Sequence, residues 1–328
     1  MRVIITGGTG LIGRKLAASL AGDHHEVIVL SRNPVHTRGL PRGVQVVGWD
    51  ARTPQGWGHL VDGADAIVNL AGESIAGTGF IPSRWTEARK QRILQSRLDA
   101  ADAIVQAVKA ADRKPHVVVQ ASAVGYYGAS GDEIITEAHP AEDDFLAQVC
   151  VQWENASAPV ETLGVRRAVV RIGLVLTPEE GVLPKLLLPF RLFVGGALGT
   201  GRQWYPWVHA DDVIRAIRFL ISSENASGSF NLTAPNPLTN RDFSRVLGRV
   251  LHRPALVPVP PFALRLALGE ISTLVLDGQR AVPQRLTEVG FSFRFTEAEA
   301  ALSDLLHPNA AAHQQAAEWV PSPAKGQE

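Results

Sequence analysis

The string Thr6-Gly7-Gly8-Thr9-Gly10-Leu11-Ile12-Gly13 can hold a phosphate. Gly8, Gly10 and Gly13 fit G-x-G-x-x-G, and Gly7, Gly10 and Gly13 fit G-x-x-G-x-x-G. A pyrophosphate must approach such a backbone closely and sit at a helix N-terminus. Free N–H groups and the helix dipole attract it there, and side chains would obstruct it. The bland alternative is a tight glycine-rich turn with no ligand. A dinucleotide site also needs a ribose reader about 20 residues on, usually a carboxylate. Here that place reads Leu30-Ser31-Arg32-Asn33, with no acid. An arginine suits a 2′-phosphate, so NADP (as NADPH) is expected in preference to NAD. Otherwise Arg32 is a surface residue at a strand end. Asp50 follows the third apolar run and either accepts from the adenine amino group or initiates a turn.

These residues act together only if a strand delivers the loop and a helix receives the phosphate. Apolar, β-branched runs at 3–6, 26–30, 44–49, 66–70, 116–121 and 165–171 read as strands buried on both faces. Helical stretches at 11–22, 85–111 and 144–163 fall between them. The alternation predicts an α/β fold, a doubly wound parallel Rossmann sheet spanning 1–173. After Arg171 prolines and glycines become frequent, and shorter helices are expected at 211–222, 240–251 and 262–268. This is a smaller substrate lobe over 174–306, with segments around 205–232 returning to the sheet. From 307 to 328 alanine, glutamine and proline dominate, and a frayed, disordered tail is expected.

Asn69-Leu70-Ala71-Gly72 and Ser122-Ala123-Val124-Gly125-Tyr126-Tyr127-Gly128, taken with the glycine loop, resemble the short-chain dehydrogenase/reductase superfamily. Trp207-Val208-His209-Ala210-Asp211-Asp212-Val213 and Gly228-Ser229-Phe230-Asn231-Leu232 are similar to its extended, epimerase/dehydratase branch. Gly201-Arg202-Gln203 and Gly278-Gln279-Arg280-Ala281-Val282-Pro283 look like the atypical NADP-binding "epimerase family" proteins. The resemblance covers about 1–306. It implies an extra C-terminal domain at about 235–306 and NADP(H) in the crevice, without a settled substrate. It also implies that Leu70, Ala71 and Gly72 pass along the adenosine side of the cofactor. Ser122 matches the active-site Ser/Thr that binds a substrate carbonyl or alcohol; alternatively it only ends its strand.

The resemblance fails at the proton donor. The superfamily uses Tyr-x-x-x-Lys, in which an ammonium one helical turn away lowers the tyrosine pKa. This chain has three tyrosines, Tyr126, Tyr127 and Tyr205, and the fourth residue after each is Ser130, Gly131 and His209. The dyad is therefore absent. Aligning the expected helix on Glu154 puts Leu146 and Cys150 in its places; aligning on the aromatic puts Phe145 and Val149 there. Arg97 stands where an asparagine is expected. Substitutes are Tyr126 or Tyr127 swinging from their loop, Glu73 as acid or base, and His209. Arg97 could polarise an oxyanion or clamp a carboxylate. Glu73 and Arg97 are also candidate cofactor contacts. Arg84, Arg89, Lys90, Arg92 and Arg97 form either a solvated helix face or, near Glu73 and Arg202, an anionic-substrate site. Trp204, Tyr205 and Trp207 either floor that pocket or pack the lobe.

Composition narrows the partners. The 328 residues carry 32 basic and 32 acidic side chains, against a nucleic-acid partner. No apolar run approaches a membrane span, since 183–198 is interrupted by Pro184, Lys185, Pro189 and Arg191. The single cysteine, Cys150, excludes an intramolecular disulfide and a cysteine metal site, and no metal is expected. A cytoplasmic monomer or homodimer acting on a small molecule, either anionic or neutral, is the expectation. Two functions remain open. One is an NADP(H)-dependent oxidoreductase or epimerase on a small carbonyl or sugar-like substrate. The other is a non-catalytic NADPH-binding sensor or scaffold.

Overall fold

In the computed structural model, residues 1–77, 79 and 82–307 are described. The tail expectation for 308–328 lies outside the described residues. The first half runs β1 (Arg2–Thr6), α1 (Leu11–Gly22), β2 (Glu26–Ser31), β3 (Gln45–Gly48), β4 (Ala66–Asn69), α2 (Glu87–Ala110), β5 (Val117–Ala123), α3 (Phe145–Ser157) and β6 (Arg166–Ile172). The second runs α4 (Leu183–Arg191), α5 (Ala210–Ser222), β7 (Gly228–Leu232), α6 (Asn240–Leu251), α7 (Pro261–Leu268) and α8 (Ala298–Leu306). The seven strands form one parallel sheet in the order β7-β6-β5-β4-β1-β2-β3.

β1, β2, β4 and β5 are apolar on both sides because helices cover both faces. Val3, Ile5, Val27, Val29, Val68 and Val119 pack with Leu16 and Leu20 of α1 and Val213 and Ile217 of α5. Their alternates Ile4, Ile28, Ile67 and Val118 pack with Ala100, Ile104 and Val108 of α2. The apolar runs yield six strands; β7 escapes that criterion because Ser229 and Asn231 alternate with Phe230 and Leu232.

Two helices differ from expectation. The stretch 144–163 is divided: α3 ends at Ser157 and Pro159 opens a separate turn, Pro159–Thr162, because proline lacks the donor and clashes with the preceding turn. Conversely, 183–198 contains α4 despite its prolines. Pro184 sits in the first turn, where the missing N–H costs nothing, and only Pro189 lies inside.

The lobe has its own core, with Leu183, Leu187, Phe190, Trp207, Phe243, Leu247 and Leu302. Short pairings tie it back. Leu174–Leu176 lies parallel to Trp207–His209, and Arg280–Ala281 lies parallel to Ile134–Ile135. The Asn231 amide donates to the Val282 carbonyl at 3.0 Å and Thr233 donates to the Ala281 carbonyl at 3.1 Å. Among the described residues no helix is long and apolar enough to cross a membrane.

Candidate functional site

A cleft of about 610 Å3 opens at the carboxyl ends of β1, β4, β5 and β6. The glycine loop forms one side of it. Gly7 has φ +65°, and a Cβ there would lie 2.6 Å from the Leu70 carbonyl oxygen. A Cβ on Gly13 would lie 2.4 Å from the Gly7 oxygen and 2.5 Å from Gly8 Cα, so this glycine lets α1 close on the loop. Gly10 meets only the Gly7 oxygen, at 3.3 Å, and otherwise faces open space. The helix behind it starts at Leu11 without a side-chain cap, so its first N–H groups are left for an anion. The loop therefore fits a dinucleotide phosphate: bare backbone, positive helix end, and room for a close approach.

Of the residues singled out from the sequence, Gly7, Gly10, Leu11, Ile12, Gly13, Leu70, Arg97 and Ser122 line this cleft together. Thr9, Ala71, Gly72, Glu73, Arg32, Asp50 and Tyr126 lie outside its lining. Arg32 is exposed just beyond β2 and has no ion pair among the described residues. Asp50 is engaged in its own turn. Its carboxylate accepts from the Arg52 and Thr53 N–H groups, both at 2.8 Å, and these bonds hold its pKa below the usual value. Glu73 faces Arg89 at 3.8 Å and Arg92 at 3.7 Å.

Ser122, next to last in β5, is one member of a buried network. Its hydroxyl donates to Glu154 Oε1 at 2.7 Å. Arg171 grips the same carboxylate with two 2.9 Å bonds, from Nε and Nη2. The Ser122 proton is thus committed to Glu154, and the oxygen offers lone pairs to whatever occupies the cleft. A ligand hydroxyl or amide can donate to it; a ligand carbonyl needs the serine to rotate. Arg171 also donates to the Tyr127 hydroxyl at 2.9 Å and lies 3.5 Å from the Tyr126 ring centre. Tyr127 in turn donates to Asn231 at 2.7 Å, and burial pushes its pKa up to about 12. Both loop tyrosines are therefore anchored by Arg171.

Both registers of the expected dyad reach the cleft, because Phe145, Leu146, Val149 and Cys150 all line it. None is an acid matched to neutral pH. Burial pushes the Cys150 thiol up to about 11, and it donates to the Ala123 carbonyl at 3.6 Å. Tyr205 lines the cleft, but burial raises it to about 12. His209 is buried in the lobe interface, stacked on Phe295 with ring centres 4.1 Å apart.

The basic group before and along α2 separates into two kinds. Arg84 donates to the Leu266 carbonyl at 2.7 Å, Arg89 to the Ser74 carbonyl at 2.8 Å, and Lys90 pairs with Glu270 at 2.7 Å. They tie down neighbouring loops and the C-terminal segment, while Arg202 is exposed. Arg97 alone of this group enters the cleft. Trp204 lines the cleft with Tyr205, whereas Trp207 is fully buried and donates to the Asn236 carbonyl at 3.0 Å.

Residues 3–233 match the family model for NAD dependent epimerase/dehydratases. The chain belongs to the NAD dependent epimerase/dehydratase family. Residues 259–305 match a second model, a domain of unknown function, DUF1731. The epimerase family protein YfhF of Bacillus subtilis is 39% identical over 310 residues, which is 93% of this chain and 98% of that protein. The crystal structure of the human epimerase family protein SDR39U1 (isoform 2) with NADPH superposes with TM-score 0.82 at 32% identity, over 93% of this chain and 99% of that one. A Thermus thermophilus UDP-glucose 4-epimerase with NAD shares the fold at TM-score 0.73 and 19% identity, over 95% of this chain and 100% of that one.

In this epimerase-family chain the C-terminal segment supplies a wall of the cleft that sequence reasoning left without a role. Glu270, Thr273, Leu274, Asp277, Gly278 and Gln279 all line it. The glycine was the available signal: a Cβ on Gly278 would lie 2.1 Å from the Trp204 carbonyl oxygen, so two backbones touch there. The Asp277 carboxyl is raised above its usual pKa by burial, with Arg265 opposing and Asp144 adding to the shift. It can hold a proton to higher pH than an ordinary aspartate.

Proposed function

We propose that the cleft binds NADPH and that the protein is an NADP(H)-dependent oxidoreductase or epimerase acting on a small carbonyl or sugar-like molecule. The carrying observation is the bare glycine loop at the open N-terminus of α1, on the rim of a largely apolar cleft. The NADPH carried by the human relative supports the same occupant. Gly7, Gly10, Leu11, Ile12 and Gly13 would hold the diphosphate, and Leu70, Ala71 and Gly72 would border the adenosine side. Arg32, exposed and without an ion partner, is the group we assign to the 2′-phosphate, which makes NADPH the preferred form over NADH. NADPH supplies a hydride when bound. Ser122, fixed by Glu154 and Arg171, orients the substrate oxygen, and the proton comes from a group other than the superfamily's tyrosine. We further propose a cytoplasmic monomer or homodimer, in keeping with its one free, buried thiol.

A second reading, an NADPH-binding sensor or scaffold, is favoured by one observation. In either register, Leu146 and Cys150 or Phe145 and Val149, the dyad places hold no tyrosine or lysine, and burial holds the Cys150 thiol protonated at neutral pH. Fluorescence titration with NADPH and NADH is the test, on the wild type and Arg32→Ala. Charge-assisted hydrogen bonds are worth about 1.5–3 kcal/mol, so Arg32→Ala should weaken NADPH roughly 10- to 100-fold and leave NADH unchanged. Equal affinity of the wild type for both would refute the Arg32 assignment. Stoichiometric oxidation of bound NADPH by a member of a carbonyl library selects the enzyme, and its absence selects the sensor.

A further inference from the structure

Arg97 is 6% exposed, and burial lowers its pKa to about 10, so it is still a cation at neutral pH. Yet no carboxylate lies within 4 Å of it among the described residues. The bonds it does make are all from one nitrogen: Nη1 donates to the Ile93 carbonyl at 2.7 Å and to the Glu73 carbonyl at 3.1 Å. Its plane rests over Trp153, with Cζ 4.8 Å from the ring centre. Nε is buried with no partner, and Nη2 makes no hydrogen bond to any described residue. Arg89 also buries an Nε without a partner, but it has the Glu73 carboxylate at 3.8 Å, whereas the Arg97 charge is balanced by none, and a buried charge is costly unless something pairs with it. The Nε–Nη2 edge is also the fork that grips two oxygens of one planar or tetrahedral oxyanion.

We propose that the Nε–Nη2 edge of Arg97 is an oxyanion-binding fork of the cleft, filled by a carboxylate or phosphoryl group of the bound ligand. The inference rests on the reading above that this cleft is the ligand site. Two ligands carry that chemistry: the diphosphate of a dinucleotide, and the carboxylate of a substrate. The lining of the cleft that Arg97 enters includes Trp85, Phe145, Leu146 and Val149. An oxyanion on an apolar or aromatic body can lie along those residues, while Glu270, Thr273, Asp277 and Gln279, which line the same cleft, can meet hydroxyl groups.

The test uses the full chain and three probes: NADPH, inorganic pyrophosphate, and phenylpyruvate (an aryl 2-oxo acid) added to the protein with and without NADPH. Binding is read by tryptophan fluorescence, to which Trp153 under the guanidinium contributes, and by calorimetry. Arg97→Lys keeps the charge and removes the fork; Arg97→Met removes both. Each is first checked for wild-type melting. The fork predicts at least a tenfold loss for one probe in Arg97→Lys. Joint loss of NADPH and pyrophosphate identifies the diphosphate. Loss of phenylpyruvate with NADPH within twofold of wild type identifies the substrate carboxylate. If all probes bind folded Arg97→Lys and Arg97→Met within twofold of wild type, the proposal is overturned. Should both variants fail to fold, Gly72→Ala decides. Its new Cβ would lie 3.0 Å from Arg97 Cζ and 3.2 Å from Nε, displacing the fork without deleting it. It should weaken at least one of the three probes several-fold, and unchanged binding of all three there also overturns the proposal. A wild type that binds pyrophosphate or phenylpyruvate but not NADPH sinks the cofactor reading and leaves the fork standing.

Discussion

Two glycines of one loop should fail in opposite ways when each is given a methyl group. At Gly10 the backbone has φ −81° and ψ 176°, extended values open to alanine, and the nearest heavy atom to the new Cβ is the Gly7 oxygen at 3.3 Å. Alanine loses some helix-capping preference but also restricts the unfolded chain, two effects of about 0.5–1 kcal/mol with opposite signs. Gly10→Ala should therefore melt within about 3 °C of wild type, at roughly 2–4 °C per kcal/mol. Its methyl group instead enters the space kept for phosphate, and NADPH affinity should fall at least tenfold, about 1.4 kcal/mol. At Gly13 the Cβ would lie 2.4 Å from one backbone atom and 2.5 Å from another, and neither belongs to a side chain that can rotate away. Overpacking of this kind costs about 1–3 kcal/mol, so Gly13→Ala should lower Tm by roughly 2–12 °C. Thermal denaturation and NADPH fluorescence titration on both variants read the two effects separately. Wild-type NADPH affinity in a folded Gly10→Ala protein would refute the placement of the diphosphate on this loop.

Replacing Arg171 by methionine leaves the Glu154 carboxylate, itself 8% exposed, without its cation; stability to urea should drop by about 3–5 kcal/mol. Adding Glu154→Leu should restore part of it, and a double variant no more stable than Arg171→Met would contradict this. His209 gives a pH signature. Burial lowers its pKa from 6.5, against the pull of Asp211, Asp304 and Asp212 and with the help of Arg294. As pH falls below 6.5 the unfolded chain gains a proton that the native state resists, so the stability present above 6.5 is lost on acidification. His209→Asn keeps an acceptor for the Asp211 N–H, and its Tm should fall less than that of wild type between pH 7.5 and 5.5. Parallel Tm curves would show that His209 is not the titrating group.

The strands were legible because a covered parallel sheet demands unbroken apolar runs, and Val3 to Ile5 or Val117 to Val119 can be little else. The glycine loop was legible for the same kind of reason, since its spacing encodes backbone approaches made within a dozen residues. In the sequence Arg97 stood out only by occupying the place of an expected asparagine, among several neighbouring arginines. What distinguishes it is its burial over Trp153 and against Gly72, contacts between segments far apart in the chain. Arg84, Arg89 and Lys90 look identical in sequence and hold loops together. The wall from Glu270 to Gln279 carried one local signal, Gly278, but nothing in that stretch names Trp204 or Gly128 as the segments it meets.

That wall has a consequence for how the molecule is made. Gln279 donates to the Gly128 carbonyl across 151 residues of sequence, and Arg280–Ala281 pairs with Ile134–Ile135 over a similar span. Closing loops of that length is slow compared with forming the local strand–helix units, and six of the seven sheet strands have been made by residue 172. A chain leaving the ribosome from its N-terminus thus carries a finished phosphate loop beside a half-built pocket for the whole time that the next hundred residues are being added. A dinucleotide that needs both sides of the cleft can stabilise only the completed chain, so cofactor supply would protect finished molecules against unfolding without rescuing truncated ones.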